Sequence, residues 1–141
     1  YKVMSKKAFE LMNNINEKYK YEESYINKIN LIFEIYLNEE EDYKDLRKLH
    51  INTLHMYITS NDAEIKKFNN DLYKKIFDSL EQLFGDEIAK GNFHANSKNL
   101  AKSLCATADG MFLLSVMIEN YDLKTQLTNY FLEIEKLSKI N

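Results

Sequence analysis

Residues 63–91 read AEIKKFNNDLYKKIFDSLEQLFGDEIAKG. Apolar side chains recur at Ile65, Phe68, Leu72, Ile76, Leu80 and Leu83, in steps of three and four that run on to Glu87 and Ile88. Such steps keep one face of a helix apolar. Tyr73, Phe77 and Phe84 lie alongside that stripe. Ahead of it, Ser60-Asn61-Asp62 favours an N-cap over a helix interior. Behind it, Gly91 suits the left-handed residue that closes a helix. These signals predict one long helix over 63–90. Gly85 sits inside the pattern at a cost of ~1 kcal/mol against Ala, so a bend or local break is expected there.

The same spacing extends in both directions and predicts about six helices in all. Upstream, one covers 6–19, with Phe9, Met12, Ile15 and Tyr19 on one stripe. The next covers 22–37, carrying Tyr25, Ile29, Ile32 and Tyr36, with Ile26 and Phe33 beside them. A third comes after the acidic stretch 38–42 and carries Tyr43, Leu46, Leu49, Thr53, Met56 and Tyr57. Downstream, a fifth helix runs from Asn96 or Ser97 to about Tyr121. From Leu104 to Ile118 it is apolar almost all round, the mark of a helix buried on several sides. Asp122 caps a sixth, whose inward residues are Leu123, Leu127, Tyr130, Phe131, Ile134 and Leu137.

Composition agrees with an all-α class. The 141 residues include no proline and three glycines, whereas sheets need turns built largely from those two. A 45% hydrophobic content is too rich for disorder. No unbroken run approaches 18 apolar residues, so no membrane span is expected. The lone cysteine, Cys105, cannot close an internal disulfide and points to a reducing, cytoplasmic setting. A net charge of −3, with Arg47 the only arginine, gives no electrostatic footprint for nucleic acid. The chain begins at Tyr1, which reads as a fragment or processed product.

Catalytic and metal constellations are not found. His50 and His55 are about 140° apart around a helix and do not share a face, and His94 falls in a loop without ligand partners. No metal, no cofactor and no enzymatic activity are expected. Cys105 lies in the most apolar helix, where burial raises a thiol's pKa and makes it inert. Asp109 stands out, because a carboxylate amid Cys105, Met111, Phe112 and Leu113 must find a partner or stay neutral. The bland reading is a hydrogen-bonded interface residue or one on a wet stripe of the helix. The functional one is a polar handle in the wall of an apolar ligand pocket.

Several segments resemble the TetR family of transcriptional regulators. Tyr1-Lys2-Val3-Met4-Ser5-Lys6-Lys7-Ala8-Phe9 resembles the Y-x-F-x-S-K-x-x-L signature that closes that family's helix-turn-helix, with Val3, Lys7 and Phe9 departing from it. The 84–93 stretch is similar to its helix closed by a G-x-[FL] turn. Asn96-Ser97-Lys98-Asn99-Leu100-Ala101 stands where D-P-x-x-x-A is common. Ala106-Thr107-Ala108-Asp109-Gly110-Met111 is similar to its A-x-x-D-G-[LM] segment. The resemblance implies that residues 1–9 are the tail of a DNA-binding head and the start of a connecting helix. Residues 10–141 are then the ligand-binding and dimerisation domain.

That likeness also implies site residues and partners. By it, Tyr1 and Lys6 contact operator phosphates. A cavity for a small apolar or aromatic effector is lined by Phe33, Tyr36, Tyr57, Phe77, Phe84, Cys105, Asp109 and Phe112. The last two helices pair with a second copy as a four-helix bundle. Its faces carry Leu104, Ala108, Met111, Ser115, Ile118, Leu127, Tyr130, Phe131 and Ile134, with Gly110 letting a helix backbone pass close by. The resemblance thus implies a homodimeric repressor that meets operator DNA through its missing head. The rival is a helical dimerisation or interaction module that binds no small molecule.

Overall fold

In the computed structural model, residues 2–141 are described, with side chains from Lys6 onward. The chain is all-α. Among the described residues seven α-helices occur in order: α1 Lys2–Lys20, α2 Tyr25–Ile32, α3 Glu34–Leu37, α4 Glu41–Thr59, α5 Ala63–Ala89, α6 Leu100–Met117 and α7 Leu123–Ser138. A 3₁₀ turn, Ala95–Asn99, leads into α6. Among the described residues there is no strand, only one antiparallel bridge between Phe93 and Lys139.

Local chemistry explains most of the boundaries. Asp62 and Asp122 accept from the backbone N–H groups of Glu64 and Thr125, so each satisfies an orphan donor at a helix start. Ser24 does the same for Asn27. Gly91 takes φ +81°, and its N–H donates to the Ile88 carbonyl. Three expectations change. The helix over 22–37 is divided at Phe33 (φ −104°, ψ 21°) into α2 and the single turn α3. Helix α6 stops at Met117, and Asn120 then adopts φ 63°. The break expected at Gly85 does not occur, since α5 runs unbroken through it.

Helix α5 is the spine, packed on α6, α2 and the 3₁₀ turn, and α7 closes the far side against α2, α3 and α6. The main core joins Ile29, Leu80, Leu83, Leu104, Leu127 and Phe131, all without exposed surface. A smaller cluster of Ile15, Tyr43 and Leu46 ties α1 to α4. The Lys7–Asp42 ion pair at 2.6 Å spans the same two helices; being half-exposed it adds little.

One stretch, Ala95–Met117, is long and apolar enough by composition to cross a membrane, with a mean hydropathy of 1.3 over its best window. That adds a candidate which a count of unbroken apolar runs missed. Its inward face, Leu104, Cys105, Ala108 and Phe112, is packed into the core. Its other side leaves Leu113, Leu114, Val116 and Met117 exposed.

Candidate functional site

Asp109 on α6 turns into the bundle at the level of α3 and the middle of α5. Its Oδ1 accepts the Tyr36 hydroxyl at 2.6 Å and its Oδ2 accepts the Tyr73 hydroxyl at 2.6 Å. Both are short, charge-assisted bonds. The Tyr36 Oη also lies 3.0 Å from His50 Nε2, a contact from α4. A phenol has one proton, and Tyr36 gives it to the carboxylate. His50 must therefore donate through Nε2–H, which fixes its neutral tautomer. Four helical elements, α3, α4, α5 and α6, thus converge on one carboxylate.

Aromatic rings enclose this polar chain. Tyr36 and Phe112 stack with centroids 4.7 Å apart and planes 10° from parallel. His50 lies 5.5 Å from Phe112, and Phe33 joins through Tyr36 at 6.1 Å. Tyr73 meets Phe77 at 6.1 Å. Burial, then the Asp109 charge, pushes the Tyr36 phenol well above its ordinary value of 10.0; burial and the Asp109 bond do the same to Tyr73. Burial holds His50 below 6.5 against the opposing pull of Asp109. The Cys105 thiol, one turn from Asp109 and buried, is pushed up to about 12, chiefly by desolvation. In the absence of a further partner the thiol form is favoured at neutral pH.

The eight residues expected to line a ligand cavity fall into two groups. Tyr36, Asp109, Phe112, Phe33 and Cys105 come together, and Phe77 adjoins them through Tyr73. Tyr57 lies close enough to Tyr73 to act on its ionisation. Phe84 goes elsewhere, into an aromatic cluster with Tyr25 (5.7 Å) and Phe93 (5.9 Å) at the C-terminal end of α5. Tyr73 and His50 are the partners that spacing alone did not select. The signal available was chemical: a carboxylate inside an apolar helix demands donors, and these are the donors nearest in space. Next to the cluster, a groove of about 430 Å³ opens over Tyr36 and Phe112.

The expected dimer faces need correction. Leu104, Ala108, Leu127 and Phe131 have no exposed surface in the single chain, and Ile134 is 5% exposed. They form the protomer's own core and offer no area to a second copy. Ile118 is exposed, and Met111, Ser115 and Tyr130 are partly so. Gly110 is exposed, and a Cβ built on it would meet nothing within 4 Å, so no helix of the same chain passes close to it. Of the expected DNA contacts, Lys6 is exposed on α1, and Tyr1 lies outside the described residues. No family model, curated protein or solved structure matches this chain.

Proposed function

We propose that this chain is the effector-binding and dimerisation part of a TetR-like transcriptional repressor, cytoplasmic and non-enzymatic, released from its operator by a small apolar or aromatic ligand. The observation that carries the reading is the Asp109 cluster. Within the segment that resembles the family's A-x-x-D-G-[LM], Asp109 faces inward to Tyr36, Tyr73 and His50, while Gly110 faces outward. Polar groups convergent among aromatic walls, between helices, are the usual character of a small-molecule site. A ligand that competes for Asp109 would have to displace Tyr36 or Tyr73, and so would shift α3 or α5 relative to α6. Helix displacement of that kind is what a DNA-bound dimer must register. By linkage, operator DNA weakens ligand binding by the same factor.

The dimer face in this reading is the outer side of α6. Ala106, Gly110, Leu113 and Met117 recur there at steps of four, three and four, all exposed. A thermal-shift screen of neutral aromatic compounds tests the reading. A ligand at 100 times its Kd adds about 2.7 kcal/mol, and its effect must vanish in Asp109→Ala. A screen in which every hit stabilises Asp109→Ala as well as the parent rules out this site. One observation favours the rival, a dimerisation module without a ligand: both carboxylate oxygens of Asp109 already have donors.

A further inference from the structure

The groove beside the cluster carries more cations than carboxylates along its rim. Its accessible apolar surface is Ile51, Val116 and Tyr121, backed by the buried rings of Tyr36 and Phe112. Around it stand four cations, Lys44, Arg47, Lys48 and Lys124, against two carboxylates, Glu39 and Asp122; Lys44 is paired with Glu41 at 3.5 Å, which leaves Arg47, Lys48 and Lys124. The chain as a whole carries −3, so a local surplus of positive charge over an apolar floor is a departure that selects for a partner. The two carboxylates are also partly committed. Asp122 caps α7 by accepting from the backbone and hydroxyl of Thr125. Glu39 lies close enough to Arg47 to act on its ionisation.

Arg47 is held in place at this rim. Its Nη1 donates to the carbonyls of Ile35 and Asn38, both at 2.6 Å. The Nε and Nη2 donors have no protein acceptor among the described residues, and a planar guanidinium presents them as a fork suited to a carboxylate. Neither Lys48 nor Lys124 lies within ion-pair distance of a carboxylate there. We infer that this groove binds an amphipathic monocarboxylate, with its apolar chain against Ile51, Val116 and Tyr121 and its carboxylate among Arg47, Lys48 and Lys124. The volume falls within the range of small-molecule sites, about 300–1,000 Å³. This site stands whether or not the chain belongs to a transcriptional regulator, because binding is read on the chain itself and needs no DNA.

The test is a ¹H–¹⁵N NMR titration of the chain with sodium octanoate, with octanamide as the uncharged match. Octanoate is expected to give saturable shifts confined to residues 36–51 and 112–124, with a Kd on the order of 1 mM for so small a ligand. Octanamide should bind at least about fivefold more weakly, as should octanoate to the K48Q/K124Q variant. Both lysines are exposed, so the variant keeps its fold, and the octanamide arm carries the charge test on the unaltered chain in any case. Equal affinity for octanamide, or unchanged octanoate binding by the variant, would overturn the inference. So would an absence of saturable shifts. Pelleting with phosphatidylcholine–phosphatidylglycerol vesicles in that last case would assign the groove to a lipid surface instead.

Discussion

Removing the Asp109 carboxylate orphans two phenols that are otherwise held at 2.6 Å. An orphaned buried donor costs roughly 1–3 kcal/mol, so Asp109→Ala should lower the unfolding free energy by about that amount in urea titration. Tyr73→Phe removes one of the same bonds and should cost less, since Tyr73 is half-buried. If the groups act as one network, the double variant will be more stable than the sum of the singles predicts, with a coupling of about 1 kcal/mol. Strict additivity would show the cluster to be three independent contacts. His50 adds a pH signature. Its folded pKa lies below the unfolded 6.5, so the unfolded chain binds the proton more readily, and stability is lost as pH falls below about 6.5. Histidine-to-glutamine replacement at position 50 keeps a donor for Tyr36 but cannot titrate. Thermal melts at pH 7.5 and 5.0 should therefore show the parent losing more on acidification than His50→Gln does. Equal losses would mean that His50 charges freely in the fold.

At the scale of the element, two glycines that look alike in sequence should respond oppositely to alanine. Gly85 lies inside α5 with open space where a Cβ would stand, so Gly85→Ala should gain about 1 kcal/mol from helix propensity. Gly91 holds φ +81°, where a Cβ costs roughly 1–2 kcal/mol, so Gly91→Ala should lose that. Chemical denaturation of both variants checks the pair, and a destabilised Gly85→Ala would reveal a bend in α5. Caps and glycines are why most helix ends could be read in advance: Asp62, Gly91 and Asp122 carry their own local chemistry. The break at Phe33 could not, because no Gly or Pro marks it. What accompanies it is tertiary, with Arg47 from α4 reaching the carbonyls of Ile35 and Asn38. The end of α6 was legible in Asn120, a residue that tolerates positive φ, but the apolar Ile118 extended the periodic pattern past Met117. The candidate site divides the same way. A charge in an apolar helix singled out Asp109, whereas helical spacing could not say that Tyr73 and His50 would face it, or that Phe84 would turn to Tyr25 and Phe93.

For the whole molecule the decisive question is whether a second copy binds and, on the proposed reading, by which face; burial narrows the faces available. Phe131 has no exposed surface, so a charge there would be driven into the core and would unfold the chain before it tested any interface. The outer side of α6 is different. Leu113 is 40% and Met117 71% exposed, and Gly110 beside them leaves room for a partner's backbone. A standard interface takes about 800 Å² from each partner, less than a tenth of the 9336 Å² that the chain exposes. Gly110→Glu and Met117→Glu alter exposed positions and should leave monomer stability within about 1 kcal/mol, the glycine gaining propensity as it gains charge. Sedimentation velocity at about 10 µM, where an interface of that size should hold, is expected to show a dimer for the parent and monomers for both variants. If both variants remain dimers, the contact lies on the exposed side of α7 around Leu132 and Leu137. If the parent itself sediments as a monomer, the two-headed repressor reading loses its spacing device, because one head cannot measure the distance between successive major grooves.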